Sequence, residues 1–174
     1  DAIRMILFTG ARPGEVFQMQ WNQVDLDEGV WSKPASATKQ KRRHRVPLVQ
    51  DAITLLKRIL SQDTDSEYVF PSRSSRVRPI GEVRKTWNKV IETAEIENDI
   101  GTRIYDLRHT FATHLVASGQ SLFSVGKLLG HSTTKVTERY AHADLDGLRA
   151  ALGSMDQVFS DANNVTALSQ EGPK

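Results

Sequence analysis

The sequence predicts a mainly α-helical domain that carries a small antiparallel β-sheet, an α+β fold. Most of the chain places apolar residues three and four positions apart, which is the spacing of a helix with one buried face. Residues 29–48 differ, because short β-prone runs there are separated by turn residues. The chain has 174 residues, 39% of them hydrophobic and 25% charged, which suits one domain with a real core.

The first half of the chain alternates helices with strands. Apolar spacing predicts a helix over residues 2–9 that Gly10 ends, and Pro13 lies in the first turn of a second helix. Short strands around Val30 and Val46 flank a basic hairpin. Three further stretches follow, namely two amphipathic helices and a brief extended piece: "QDAITLLKRIL", "IGEVRKTWNKVIETAEI" and "EYVFPS".

The second half is predicted to be helical as far as about Leu152. One helix is expected to begin with Asp106 as its cap and to end at Gly119. The next is opened by Ser121 and closed by Gly130. Helical periodicity then continues to about Leu152, and the residues beyond it contain few apolar side chains.

Composition excludes several classes of site. The chain contains no cysteine, which removes disulfides, thiolate nucleophiles and cysteine-based zinc sites. No apolar run approaches the roughly 18 to 20 residues of a membrane span. No signal peptide is visible, so we expect a cytoplasmic protein with no membrane partner.

The net charge of +2 does not by itself indicate nucleic acid, but the basic residues are segregated. Residues 39–45 read "KQKRRHR", and a second basic run follows at 73–85. Such a surface is typical of proteins that bind the phosphate backbone, although a basic run taken alone is more often a solvated loop.

Four stretches place chemically informative residues at wide intervals: "TGARPGE", "TKQKRRHRVPL", "YDLRHTFATH" and "LLGHSTTKVTERYAH". Arginine is a poor proton acceptor but binds phosphate oxygens through two N–H donors. Two arginines and a histidine can hold a phosphodiester, a tyrosine can attack its phosphorus, and a lysine can protonate the departing oxygen. This combination can break a DNA strand without metal or water.

Together these motifs resemble the catalytic domain of the tyrosine recombinases, the lambda-integrase-like family, over roughly residues 1–150. The resemblance implies that Arg12 and Arg108 clamp the scissile phosphate and that His131 hydrogen-bonds it. It implies that Tyr140 is the nucleophile, forming a 3′-phosphotyrosyl link, and that Lys39 protonates the leaving 5′ oxygen. No cofactor and no metal are implied.

One position departs from the family pattern. The family usually has a histidine three residues before the second arginine, and this chain has Tyr105 there. A phenol is a poor base at neutral pH. Either a neighbouring group accepts the proton of Tyr140, or the arginines lower the pKa of Tyr140. Glu15, Tyr105 and His109 are expected to support the site or contact phosphate.

The resemblance also predicts a bacterial or phage-encoded protein, its domain organisation and its partners. Residues 1–152 form the catalytic domain, and residues 153–174 form a tail that either docks on a neighbouring protomer or is disordered. Because the chain opens in a helical pattern without an initiator methionine, we expect an N-terminal DNA-clamping domain outside this sequence. Double-stranded DNA is the expected partner, with homotetramers on DNA and monomers in solution. The expected DNA contacts lie on the hairpin: Lys41, Arg42, Arg43 and Arg45.

Three other functions fit parts of the sequence. A non-catalytic helix-turn-helix regulator would use "FATHLVASGQSLFSVGKLLGHS", but it leaves Arg12 and Tyr140 unexplained. A histidine-metal hydrolase is disfavoured because His109 and His114 are not spaced to share a helical face. A type IB topoisomerase uses similar chemistry, but the short spacing between His131 and Tyr140 fits integrases better.

Overall fold

The structure is a computed structural model that describes residues 1–35, 43–62, 65–81, 83–96, 101–131 and 133–144. The predicted general acid Lys39, the predicted DNA contacts Lys41 and Arg42, and the tail at 153–174 lie outside these ranges.

The described part of the chain contains helices, a small sheet and short 3₁₀ turns. The α-helices are α1 (Ala2–Thr9), α2 (Pro13–Phe17), α3 (Gln50–Leu60), α4 (Arg84–Thr93), α5 (Asp106–Ala117) and α6 (Leu122–Leu129). The strands are β1 (Val24–Asp25), β2 (Val30–Lys33) and β3 (His44–Pro47), and 3₁₀ helices cover Trp21–Gln23, Thr134–Val136 and Glu138–Asp144. The predicted α+β class is confirmed, and none of the described helices has the length and apolar character of a membrane span.

The sheet is antiparallel with the order β1-β2-β3. Trp31 pairs with Val46 across β2 and β3, and successive side chains of β2 alternate between the core and solvent. This alternation buries Trp31 and Lys33 on the same face, while Ser32 is exposed. A lysine therefore projects from the buried face of the sheet.

Two apolar clusters form the core. The larger joins α1, the sheet and α3, and it includes Met5, Trp31 and Leu56. The smaller joins α5, α6 and the last 3₁₀ helix, and it includes Val125 and Tyr140. Helix α1 packs against α5. The seam between the two clusters lies beside the residues that the motifs singled out.

Two glycines end the helices next to this seam. Gly10 has φ 60°, and a Cβ there would lie 2.3 Å from the Phe111 ring. Gly130 has φ 67°, and a Cβ there would lie 2.9 Å from the His44 ring. Both need the left-handed conformation and the missing side chain of glycine. These tight turns set the positions of Arg12, two residues after Gly10, and of His131, directly after Gly130.

Three local predictions are corrected. Asp106 does not cap α5: the cap position is Tyr105, and Asp106 is the first helical residue, whose carboxylate accepts the Arg103 N–H at 2.7 Å. Helix α4 begins at Arg84, after the predicted start. Residues 134–144 form two 3₁₀ helices instead of the expected continuous helix.

Candidate active site

Glu15 connects two cations at the start of α2. Its Oε1 accepts from Arg12 Nη1 at 2.9 Å, and its Oε2 accepts from the Arg12 backbone N–H at 3.1 Å. The same Oε2 accepts from Lys33 Nζ at 2.9 Å. The Lys33 side chain is 2% exposed and that of Glu15 is 6% exposed, whereas Arg12 is 27% exposed. Glu15 therefore holds Arg12 against the core and leaves part of it open to solvent.

The ionisation of this group follows from burial and pairing. Burial alone would raise the pKa of Glu15, but the Lys33 ammonium and the hydrogen bonds from Lys33 and Arg12 lower that pKa below its ordinary value. The pKa of Lys33 is also lowered, because its loss of hydration and the charges of Arg108 and Arg12 outweigh the single carboxylate. Cations are in excess here, which favours binding of an anion.

Removing the Glu15 charge is expected to destabilise the fold strongly. Glu15→Gln leaves the buried Lys33 ammonium without its counter-charge, and we expect the free energy of unfolding to fall by about 3–5 kcal/mol. The carboxylate's contribution is complete above its ordinary pKa of 4.5 and is lost as pH falls through the lowered folded value. The deficit of the variant, measured by denaturant unfolding, should therefore shrink in acid.

The matched control removes both charges. Glu15→Gln combined with Lys33→Met replaces the buried ion pair by uncharged groups, and it should recover most of the lost stability. Equal stability of the unchanged chain and of Glu15→Gln at neutral pH would show that the pair contributes nothing to folding.

Arg108 lies at the centre of the site and is 1% exposed. Its Nη1 donates to the Gly10 carbonyl at 2.7 Å, and its Nη2 donates to the Leu129 carbonyl at 2.8 Å. Gly10 ends α1 just before Arg12, and Leu129 ends α6 just before His131. One guanidinium therefore joins the two chain turns that carry the other predicted phosphate ligands.

The charges of Arg12 and Arg108 act on each other and on His131. Burial and the Arg12 guanidinium lower the pKa of Arg108, and the charge of a Tyr140 phenolate would act in the opposite direction. Burial, Arg108 and Arg12 together lower the pKa of His131 to about 4. His131 is consequently a neutral imidazole at pH 7, able to donate one N–H to a phosphate oxygen.

Thr137 orients the His131 ring. Thr137 Oγ1 lies 2.8 Å from His131 Nδ1, and the His131 backbone N–H donates to the Gly126 carbonyl at 2.8 Å. Thr137 is fully buried, and a Cβ at Gly126 would lie 2.8 Å from its hydroxyl oxygen. A threonine hydroxyl that donates to Nδ1 keeps the ring proton on Nε2.

Tyr140 is held by a histidine of α5. His109 Nδ1 lies 2.7 Å from Tyr140 Oη, and the two ring centroids are 5.9 Å apart. Tyr140 is 4% exposed. Burial raises the pKa of Tyr140 by more than the charges of Arg108 and Arg139 lower it. The group is therefore a protonated phenol at neutral pH, and of the two alternatives for its proton this favours acceptance by a neighbouring group.

Comparisons with known proteins agree on one family. The model of the phage integrase family matches residues 2–146. The chain belongs to this family. It is 30% identical over 159 residues to tyrosine recombinase XerC of Oceanobacillus iheyensis, covering 86% of this chain and 50% of that protein. It is 33% identical over 150 residues to XerD of Pseudomonas aeruginosa, covering 80% of this chain and 48% of that protein.

Solved structures agree. The catalytic domain of bacteriophage HP1 integrase superposes with a TM-score of 0.63 at 28% identity, covering 87% of this chain and 79% of that domain. XerA recombinase gives a TM-score of 0.69 at 26% identity, covering 88% of this chain and 57% of that one. The chain spans half or less of the length of the two curated relatives, and it covers most of the integrase catalytic domain.

This member of the phage integrase family brings together most of its predicted site residues. Tyr105 is 40% exposed and packs edge-on against His109, with ring centroids 5.4 Å apart. Arg43 and Arg45 are exposed and line a groove of about 540 Å³ beside β2 and β3. Three predicted residues lie within electrostatic range of the Arg108 fork: Arg12, His131 and Tyr140.

Sequence reasoning missed two residues of this candidate site. Lys33 carries a signal in the alternation of β2, since every second residue of a half-buried strand faces the core. Thr137 gives no local signal, because its role depends on the packing of the final 3₁₀ helices against α6.

Replacing Thr137 is expected to change the titration of His131. Thr137→Val keeps the shape of the side chain and removes the hydroxyl beside Nδ1, which we assign as the donor to the neutral ring. We expect the midpoint of the His131 titration to rise by about half a pH unit to one pH unit, the equivalent of one neutral hydrogen bond. Nitrogen-15 NMR of the imidazole rings measures both the titration and the tautomer.

Thr137→Ser is the matched control, because it retains the hydroxyl and should leave the His131 titration unchanged. A valine variant whose His131 ring shows the same tautomer and midpoint as the unchanged chain would contradict the orienting role of Thr137.

Proposed function

We propose that this chain is the catalytic part of a site-specific tyrosine recombinase, which integrates or excises DNA by cleaving and rejoining strands through Tyr140. One observation carries the proposal. The buried Arg108 guanidinium joins the turns that precede Arg12 and His131, and Tyr140 lies within its electrostatic range. Cations from distant parts of the chain therefore meet beside a phenol, as cleavage of a phosphodiester requires.

In the proposed reaction, Arg12, Arg108 and the neutral His131 bind the non-bridging oxygens of the scissile phosphate. Tyr140 Oη attacks the phosphorus, a new O–P bond forms, and the bond to the 5′ oxygen breaks. The 3′ end of the strand is then esterified to Tyr140. Because the ester retains the energy of the broken bond, attack by the 5′ hydroxyl of another strand rejoins DNA without a cofactor.

The departing 5′ oxygen needs a proton, and Lys39 remains the proposed donor. Lys33 is a less suitable donor, because its ammonium is buried and bonded to Glu15. We assign Lys33 and Glu15 to the support of Arg12, and we assign the acid role to the hairpin residue.

Double-stranded DNA is the proposed substrate, gripped beside β3. Arg43 and Arg45 are exposed at the groove beside β2 and β3, where they can neutralise backbone phosphates. We expect weak, strongly salt-dependent binding by this chain alone and homotetramers on a recombination site. Deleting residues 153–174 tests the role of the tail. Assembly should be unaffected if the tail packs on its own protomer, and it should be lost if the tail docks on a neighbour.

The helix-turn-helix regulator is the weaker candidate. A recognition helix presents several polar side chains to the base edges. The exposed positions of α6 include Phe123, Ser124 and Lys127. The Lys127 ammonium lies 5.2 Å from the centroid of the Phe123 ring. Helix α6 therefore offers few polar side chains for reading bases. A regulator also gives no reason for a buried arginine that bridges two turns.

Covalent capture tests the function without knowledge of the target site. The chain is mixed at low salt with a library of nicked duplexes that have a randomised core. Cleavage beside the nick releases a short fragment, so that religation fails and the covalent complex accumulates. We expect recovery of protein-linked DNA after denaturation, with peptide mapping placing the link on Tyr140. If no covalent protein–DNA complex forms, or if the DNA is linked to a residue other than Tyr140, the proposal is wrong.

A further inference from the structure

Cleavage requires that the proton of Tyr140 go elsewhere, and the site keeps that proton on the phenol. A phenol with its ordinary pKa near 10 is about one thousandth ionised at pH 7. Burial raises the pKa of Tyr140 further, despite Arg108 and Arg139. A nucleophile in this environment needs a proton acceptor within hydrogen-bond reach.

The family position for such a group holds Tyr105, which does not meet this need. Tyr105 is itself a phenol, is 40% exposed, and touches the His109 ring with its edge. This contact helps to fix the orientation of the imidazole. The hydroxyl of Tyr140 instead forms its hydrogen bond with the His109 ring.

We propose that His109 is a catalytic residue that accepts the Tyr140 proton on Nδ1 as Tyr140 attacks the phosphorus. The inference rests on the proposed function. It is carried by the 2.7 Å contact between Nδ1 and Oη, in which both rings are fixed by packing. As the O–P bond forms, the proton moves to Nδ1, and the leaving 5′ oxygen is protonated separately by the general acid. Religation returns the proton from Nδ1 to the phenol.

The surroundings keep this ring in the form that the step requires. Burial lowers the pKa of His109, Asp106 opposes that effect, and Arg139, Arg108 and Arg103 reinforce it. The imidazole is therefore neutral at pH 7 and has a lone pair available. Asp106, on the same helix, counters the positive charge that forms when the ring accepts the proton.

The test is the pH dependence of single-turnover adduct formation on a captured nicked duplex. His109→Asn retains a polar group near the Nδ1 position but cannot accept a proton. At neutral pH we expect its rate to be about 10²- to 10⁴-fold below that of the unchanged chain. Its rate should then rise about tenfold per pH unit towards the phenol's pKa, whereas the unchanged chain levels off once His109 is neutral.

Two controls separate this role from others. His114→Asn alters an exposed histidine of the same helix and should leave the rate and its pH profile unchanged. On a duplex with sulfur in place of the bridging 5′ oxygen, the leaving group needs no proton. That duplex should restore cleavage by Lys39→Ala but not by His109→Asn.

Each outcome bears on a different claim. If the unchanged chain forms no Tyr140-linked adduct, the proposed function fails. If that adduct forms and His109→Asn matches the unchanged chain at every pH, the function stands and the role of His109 is overturned. A His109→Asn rate that is low but insensitive to pH would also overturn it, because the ring would then only position Tyr140.

Discussion

Tyr140→Phe is expected to eliminate the covalent protein–DNA adduct while the fold and the affinity for uncleaved DNA are retained. The substitution removes one oxygen from a ring that is 4% exposed and packed within the smaller core cluster. The cost to folding is the hydrogen bond to His109, about 0.5–1.5 kcal/mol. The cost to cleavage is complete, because no other atom of the side chain can form an ester with phosphorus.

Denaturing electrophoresis of the captured duplex measures the adduct, and denaturant unfolding measures the fold. Tyr105→Phe is the matched control, since Tyr105 is the other phenol whose ring packs against the His109 ring. It should retain adduct formation. If the adduct survives in Tyr140→Phe and disappears in Tyr105→Phe, the nucleophile is Tyr105 and not Tyr140.

Arg108→Lys is expected to reduce adduct formation by about 10²- to 10³-fold, the usual effect of losing one preorganised stabiliser of transition-state charge. A lysine keeps the positive charge but lacks the planar fork that reaches the Gly10 and Leu129 carbonyls together. One buried carbonyl then loses its partner, which should lower the free energy of unfolding by about 1–3 kcal/mol. The turns before Arg12 and His131 are then no longer joined by hydrogen bonds from one guanidinium.

The affinity for uncleaved DNA should change far less than the rate, because most binding energy comes from phosphate contacts spread over the duplex. Single-turnover cleavage and a salt titration of binding measure the two separately. Arg103→Lys, at an exposed arginine just before α5, is the matched control and should leave both unchanged. Equal losses of binding and cleavage in Arg108→Lys would argue against a catalytic role for Arg108.

The sequence alone determined much of the local structure, because local signals act over a single turn. Helices α1 and α6 end at Gly10 and Gly130 as predicted, and Ser121 caps α6 by accepting the Ser124 N–H at 3.1 Å. Asp106 was placed one residue wrong, because its carboxylate bonds back to Arg103 instead of onward into the helix. Family membership followed from four motifs in order, which need no coordinates.

Only the tertiary structure decided which side chains meet. Arg108 and Gly10 are 98 residues apart, Glu15 and Lys33 are 18 apart, and His109 and Tyr140 are 31 apart. Periodicity states which face of an element is buried, but not which element covers it. The contact between His109 and Tyr140 exists because α5 and the last 3₁₀ helix pack together. Because of that packing, a histidine expected to support the site or contact phosphate becomes the proposed acceptor of the nucleophile's proton.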